Sequence, residues 1–313
     1  MTRPGTPALH VVKGHGTKND FVLLDGRAGD VDLTEDLVRA LSDRRAGVGG
    51  DGVIRLVASE RVPDGAASLA EDPAATWFMD YRNADGSLAQ MCGNGVRVFA
   101  TWLERLGLWD PAAGDLVVGT RAGAKRIRQE EGPDADPWYA VDMGTWSLPG
   151  GGAAVAAGGD VEVSVRGLAV ARPALRVEVG NPHVVLAVAS PDELDGADLA
   201  VAPVVTPPGP EGQNVELVLP LGERTEEDGT RTGLVAMRVF ERGVGETQSC
   251  GTGAVAAALA VRAWAGDGAP DVWRVHVPGG ALRVTALPNG HVELAGPAVL
   301  VADLEVDWLA LAG

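Results

Sequence analysis

Two cysteines, three lysines and six asparagines are all that this 313-residue chain holds of those types. With only Cys92 and Cys250, it does not carry the framework of a disulfide-stapled secreted domain. Two cysteines without a nearby histidine cluster also fall short of the usual four-ligand zinc site. His10, His15, His183, His276 and His291 show no ligand spacing, so no metal is expected. Long apolar runs are missing as well. The longest candidate, Ala254–Ala265, is broken by Arg262 and is too short to span a bilayer. Met1–Gly16 lacks the apolar stretch of a signal peptide, and the expectation is a soluble, cytoplasmic protein. Positive charge is scarce: 26 Lys and Arg face 43 Asp and Glu, for a formal net charge of −17. Nucleic acid and anionic membranes repel such a surface and are excluded as partners. The few lysines, Lys13, Lys18 and Lys125, leave arginine as the main base, a bias of GC-rich genomes.

What is present is apolar and mostly strand-like. Apolar residues make up 46% of the chain, enough to bury a core, and the length exceeds that of one ordinary domain. Short alternating or apolar runs predict strands at Phe21–Leu24, Gly52–Val57, Thr76–Asp80, Asp115–Val118, Trp138–Asp142, Val161–Val165 and Leu175–Val179. More follow at His183–Val188, Val215–Leu219, Leu234–Phe240, Trp273–Val277, Leu282–Ala286 and His291–Leu294. Pro288-Asn289-Gly290 reads as the hairpin turn between the last two. Helices are few. One follows Asp32 and Glu35, a capping-box variant, with Leu33, Leu37, Ala40 and Leu41 on one face. A second starts near Gly93, carries Val96, Phe99, Ala100, Leu103 and Leu106, and ends at Gly107. A third, Gly251–Ala265, is apolar nearly all round and should be enclosed by protein. A fourth is placed around Pro191–Leu199. This pattern predicts an α+β fold with mainly antiparallel sheets. Gly150–Gly159 reads as a linker, and Ser59–Ala75 as an inserted surface loop.

Each half contains one Cys-Gly-x-Gly sequence opening one apolar helix: Met91-Cys92-Gly93-Asn94-Gly95 and Ser249-Cys250-Gly251-Thr252-Gly253. This internal repeat suggests two similar domains. A helix N-terminus offers unpaired N–H groups and positive potential, which lowers a thiol toward ionisation and holds a carboxylate. A lone cysteine there is usually a small buried hydrophobe. Two of them, the only two in the chain, suit a reaction that removes a proton from one face of a carbon and returns one to the other. A structural or redox disulfide between Cys92 and Cys250 is the alternative at this point.

Asn83-Ala-Asp-Gly-Ser, Met91-Cys-Gly-Asn-Gly, Gly180-Asn-Pro-His183, Asn214-Val-Glu, Lys18-Asn-Asp-Phe21 and the long Glu241-Arg-Gly-Val-Gly-Glu-Thr-Gln-Ser-Cys-Gly-Thr-Gly253 resemble diaminopimelate epimerase. They occur in the right order from about residue 10 onward. The resemblance implies two similar α+β domains, each a mainly antiparallel, barrel-like sheet wrapped around a central helix. One would hold residues 1–148 with 296–313, the other 149–295. It implies an enzyme interconverting LL- and meso-diaminopimelate without pyridoxal phosphate or metal, as a homodimer. Cys92 and Cys250 would be the acid/base pair. Gly93, Asn94, Gly251 and Thr252 would bind the reacting carboxylate. Asn19, Asn83, Asn181, Asn214, Glu241 and Arg242 would contact the substrate, and His183 and Glu241 would tune the thiols. Five of the six asparagines fall in these motifs, where a neutral group that both donates and accepts suits a substrate with two ammonium and two carboxylate groups.

The chain departs from the family at Gly52, where some members carry Gln, and at Ser59–Ala75. Gly47-Val-Gly-Gly-Asp-Gly52 is no dinucleotide fingerprint, since a strand and not a helix follows it. Proline racemases and hydroxyproline epimerases share the two-cysteine logic but usually read Cys-Gly-His-Gly where Asn94 stands. Phenazine-type isomerases share the fold without the cysteine pair. A non-catalytic amino-acid-binding protein is the rival from another class.

Overall fold

The computed structural model describes residues 8–29, 31–133, 135–210, 212–307 and 311. Residues 1–7, the first part of the Met1–Gly16 stretch read above as lacking a signal peptide, and 308–310, 312 and 313 at the C-terminal end lie outside the described residues. The chain divides into two compact units, Met1–Val141 with Gly296–Gly313, and Asp142–Ala295.

In the first unit eight strands pair side by side in the order Val299–Asp307, Ala8–Gly16, Asn19–Asp25, Gly52–Ala58, Trp77–Asn83, Leu116–Thr120, Gly123–Glu131 and Pro137–Thr145. The successive pairings are antiparallel, antiparallel, parallel, antiparallel, parallel, antiparallel and antiparallel. In the second unit the order is Val161–Ser164, Arg172–Glu178, Pro182–Ala187, Asn214–Thr225, Arg231–Glu241, Val272–Val277, Gly280–Ala286 and His291–Pro297. Its pairings repeat the same series. The faint sequence repeat is therefore a repeat of topology.

Among the described residues six α-helices form: α1 (Glu35–Ser42), α2 (Pro63–Glu71), α3 (Gly93–Arg105), α4 (Gly151–Ala156), α5 (Pro191–Gly196) and α6 (Gly251–Ala265). Helix α3 lies between the fifth and sixth strands of its unit, and α6 takes the equivalent place in the other. Both are enclosed by their own sheet. In α6 every residue from Gly253 to Val261 is buried, as an all-round apolar pattern requires. None of the six is long and apolar enough to cross a membrane.

Three readings need correction. Ser59–Ala75 is not a loop: a 3₁₀ turn, Ser59–Arg61, leads into α2, started by Pro63 at its first position with Asp64 in the first turn. Its buried face is made of Gly65 and Ser68, small residues that an apolar-periodicity test passes over. Gly150–Gly159 is not a linker; it contains α4 and lies inside the second unit. Helix α1 is capped by Thr34 rather than Asp32, the Thr34 hydroxyl accepting from Leu37 N at 3.2 Å. The Pro288–Gly290 hairpin forms as expected: Leu287 N donates to His291 O at 2.9 Å, and Gly290 takes a φ of 83°.

Candidate active site

Each cysteine occupies the N-cap of the central helix of its unit. Cys92 has extended backbone, φ −137° and ψ 118°, and its sulfur accepts from Gly95 N at 3.5 Å. Cys250 has φ −119° and ψ 121°, and accepts from Gly253 N at 3.3 Å. Neither thiol is in a disulfide. A thiol replaces the hydroxyl or carboxylate that usually caps a helix, and it sits where N–H groups of the first turn remain unpaired.

Around Cys92 runs a chain of polar side chains. Arg97, fully buried one turn into α3, donates to Asn94 Oδ1 at 2.9 Å. That leaves Asn94 Nδ2 to donate to Asn19 Oδ1 at 3.1 Å, and Asn19 Nδ2 to donate to Asp51 Oδ2 at 2.6 Å. Asp51 also accepts from Asp20 N at 3.1 Å and from Arg44 Nη2 at 2.7 Å. Cys92 Sγ stands 3.5 Å from Asn19 Oδ1. Burial pulls the Arg97 guanidinium down to about 10, against the raising effect of Cys92, so a cation remains beside this thiol at neutral pH. Burial pushes the Asp51 carboxyl up. Asn83 approaches the same group through its turn: it pairs in register with Gly52, and the next residue, Ala84, donates its N–H to Asp51 O at 3.1 Å.

Cys250 meets the opposite charge. His183 Nδ1 lies 2.7 Å from Glu216 Oε1, both side chains fully buried, and His183 Nε2 lies 3.0 Å from Asn181 Oδ1. Asn214, the register partner of His183, accepts the N–H of Arg242 at 2.9 Å. Glu241 accepts from the Thr247 hydroxyl. Thr252 Oγ1 is 3.5 Å from Cys250 Sγ. Burial, then Glu241 and Glu216, push the Cys250 thiol well above its ordinary value. This corrects the expectation that a helix N-terminus lowers both thiols: at Cys250 desolvation and two carboxylates outweigh it. Among the described residues no three His, Cys, Asp or Glu side chains gather as a metal site would need.

The family model for diaminopimelate epimerase matches residues 11–148 and 175–301. A diaminopimelate epimerase of Streptomyces coelicolor is 46% identical over 307 residues, covering 95% of this chain and 96% of the relative. One of Thermobifida fusca is 43% identical over 307 residues, covering 97% and 100%. This chain belongs to the diaminopimelate epimerase family.

More distant solved structures share the fold. A Bacillus anthracis phenazine biosynthesis protein of the PhzF family superposes with a TM-score of 0.63 at 16% identity, over 96% of this chain and 99% of that one. A probable proline racemase of Agrobacterium radiobacter K84 gives 0.59 at 14% identity, over 95% and 92%.

Against the family pattern, the structure gathers Asn19, Cys92, Gly93 and Asn94 in the first unit, and Asn181, His183, Cys250, Gly251 and Thr252 in the second. At Gly52 the backbone leaves no room for a side chain. A Cβ there would lie 2.3 Å from Arg82 O and 2.7 Å from Tyr81 Cε2, so no longer side chain fits this backbone. Three residues of these clusters escape a reading of the sequence: Arg97, Asp51 and Glu216. Glu216 ends the Asn214-Val-Glu motif, where a charge inside an apolar strand is itself a signal. Arg97 and Asp51 carry no such mark.

Proposed function

We propose that this protein is an isomerase that interconverts LL- and meso-diaminopimelate by moving one proton, with Cys92 and Cys250 as the acid/base pair. Membership of the family, with 43–46% identity over nearly the whole chain, supports the substrate. The observation that carries the chemistry is the repeated thiol N-cap, Cys92 on α3 and Cys250 on α6.

Inversion at an α-carbon needs a base on one face and an acid on the other. The α-proton leaves to one sulfur as thiolate, and the opposite S–H delivers a proton to the carbon. The proton count is unchanged, and the roles exchange for the reverse reaction. The intermediate carries charge on the α-carboxylate. N–H groups of Gly93, Asn94, Gly251 and Thr252, at the positive ends of α3 and α6, supply the stabilisation. Asn19, Asn83, Asn181, Asn214, Glu241 and Arg242 bind the substrate's ammonium and carboxylate groups, with His183 and Glu241 tuning the thiols. The reading requires neither pyridoxal phosphate nor metal, and it places the enzyme in lysine and peptidoglycan-precursor synthesis in the cytoplasm.

The test is incubation of the purified protein with LL-diaminopimelate in D2O, followed by chiral separation and mass spectrometry. The meso isomer should appear with one deuterium at the inverted carbon. Absence of both isomer and exchange, with the protein folded, removes the assignment.

A further inference from the structure

Glu216 is out of place by ordinary packing rules. It belongs to the strand Asn214–Thr225, where Val215, Leu217 and Val218 are buried, and its side chain has no exposed surface. Burying a carboxylate costs several kcal/mol unless it is well partnered, and an apolar residue of similar size is often the more stable choice. Here Oε1 has one strong partner, His183 Nδ1 at 2.7 Å, while Oε2 has no hydrogen-bond partner among the described residues. The carboxylate also presses on the first turn of α6. A Cβ added to Gly253 would lie 2.8 Å from Glu216 Oε1, and Gly253 is the residue whose N–H holds Cys250 Sγ. Only glycine leaves room for this approach.

We propose that Glu216 is a positioning residue for the reaction: it pins the His183 ring through Nδ1 and sets a buried negative charge against the first turn of α6, which holds Cys250 as the thiol, the form that delivers a proton. The inference rests on the reading of Cys250 as one of the acid/base pair. Burial pushes the Glu216 carboxyl up, and His183 opposes this. With Glu216 ionised, Nδ1 carries the proton, and Nε2 is left as an acceptor for the Asn181 amide, which must turn its NH2 toward the ring. The charged groups facing Cys250 come from three strands: Glu216 from Asn214–Thr225, Glu241 from Arg231–Glu241, and His183, paired to Glu216, from Pro182–Ala187. Both carboxylates oppose a thiolate at Cys250. Cys92 instead has the buried Arg97 nearby.

Two measurements test this without relying on turnover. The first is ¹⁵N NMR of histidine-labelled wild-type protein, with the His183 signal assigned by its loss in His183→Gln. It should show a protonated Nδ1; an unprotonated Nδ1 overturns the proposal whether or not variants fold. The second is Glu216→Gln, which keeps the shape and removes the charge. Its Cys250 peptide, followed by mass spectrometry, should be alkylated by iodoacetamide on the order of tenfold faster at neutral pH, as a thiol shifted by about one pH unit would be. An unchanged or slower rate in the folded variant overturns the proposal. Epimerisation by Glu216→Gln should fall by about tenfold or more in kcat, within the scale of a misplaced catalytic group, with little change in KM. A wild-type enzyme inert toward diaminopimelate would sink the functional reading instead, since the NMR and alkylation results do not depend on it.

Discussion

Asn19 gives its amide oxygen to the Cys92 side of the cluster and its amide nitrogen to Asp51. The oxygen is 3.5 Å from Cys92 Sγ, and the nitrogen is 2.6 Å from Asp51 Oδ2. One side chain thus reads the thiol and a half-buried carboxylate at once, and its orientation has no freedom. Asn19→Asp would set two carboxylates face to face, and one would have to take up a proton or move away. We expect a loss in kcat of about a hundredfold, the scale of a misplaced catalytic group. The loss should deepen as pH rises and the second carboxyl ionises. Steady-state kinetics of the variant from pH 6 to 9 check this; a flat, wild-type profile would contradict it.

The two cysteines should be separately indispensable. Cys92→Ala and Cys250→Ala each remove one half of a two-step proton transfer, so each should lower turnover by at least about 10³-fold. Cys→Ser should retain slightly more, because a hydroxyl donates a proton but is a poor base. A chiral assay on each variant, with circular dichroism to show the fold intact, is sufficient. Near-normal turnover in either alanine variant would end the two-base scheme.

Much of the fold and of the site is legible in the amino-acid sequence. The Cys-Gly-x-Gly repeat marks both helix starts because a helix that begins beneath a sheet needs small residues there. Helix α6 is legible because Ala254–Val261 has no polar face to show solvent. The strand Gly123–Glu131 is not, since Lys125, Arg126, Arg128 and Glu130 leave it without apolar alternation; it pairs through its backbone, while Arg126 forms an ion pair with Asp72 at the end of α2. The residues behind the site are hidden for a different reason. No local pattern marks Arg97 on α3 as buried; its contacts do, among them Pro297 O, 200 positions away, at 3.4 Å and Asn94 Oδ1 at 2.9 Å. Asp51 likewise gains its meaning from Asn19 and Arg44, contacts that no local pattern encodes.

The equivalent glycines of the two motifs should respond differently to alanine. At Gly95 a Cβ would meet Ile54 Cδ1 at 3.2 Å and nothing polar within 3.5 Å, and a flexible methyl can yield. At Gly253 it would meet the Glu216 carboxylate at 2.8 Å and Cys250 Sγ at 3.3 Å, neither of which can move without disturbing His183 or the thiol. Alanine gains up to about 1 kcal/mol over glycine in a helix. Gly95→Ala should therefore keep its melting temperature and most of its activity, whereas Gly253→Ala should lose both. Equal tolerance at the two sites would show that Glu216 is not packed against α6 as described.

Acid should loosen the first unit through Asp20. Its side chain is 15% exposed and is held by Arg44 at 2.7 and 2.9 Å and by Lys13 at 2.6 Å. Burial alone would push the carboxyl up, but these two cations together bring it down to about 2. The sign follows from linkage. A carboxyl lowered in the folded state stabilises the fold above its unfolded value, near 4, and that contribution fades as pH falls through the folded value. The amount at stake is about 2 kcal/mol. Asp51 works the other way: burial pushes it up, so it gains a proton readily in the folded state and offsets part of the loss. The contrast between wild type and Asp20→Asn isolates the Asp20 share. Asp20→Asn should be less stable at pH 7, and its stability should fall less between pH 4 and pH 2. Urea unfolding of both proteins across that range is the measurement. Parallel curves, with a constant difference between the two proteins down to pH 2, would show that Asp20 is not held below its ordinary range by Arg44 and Lys13.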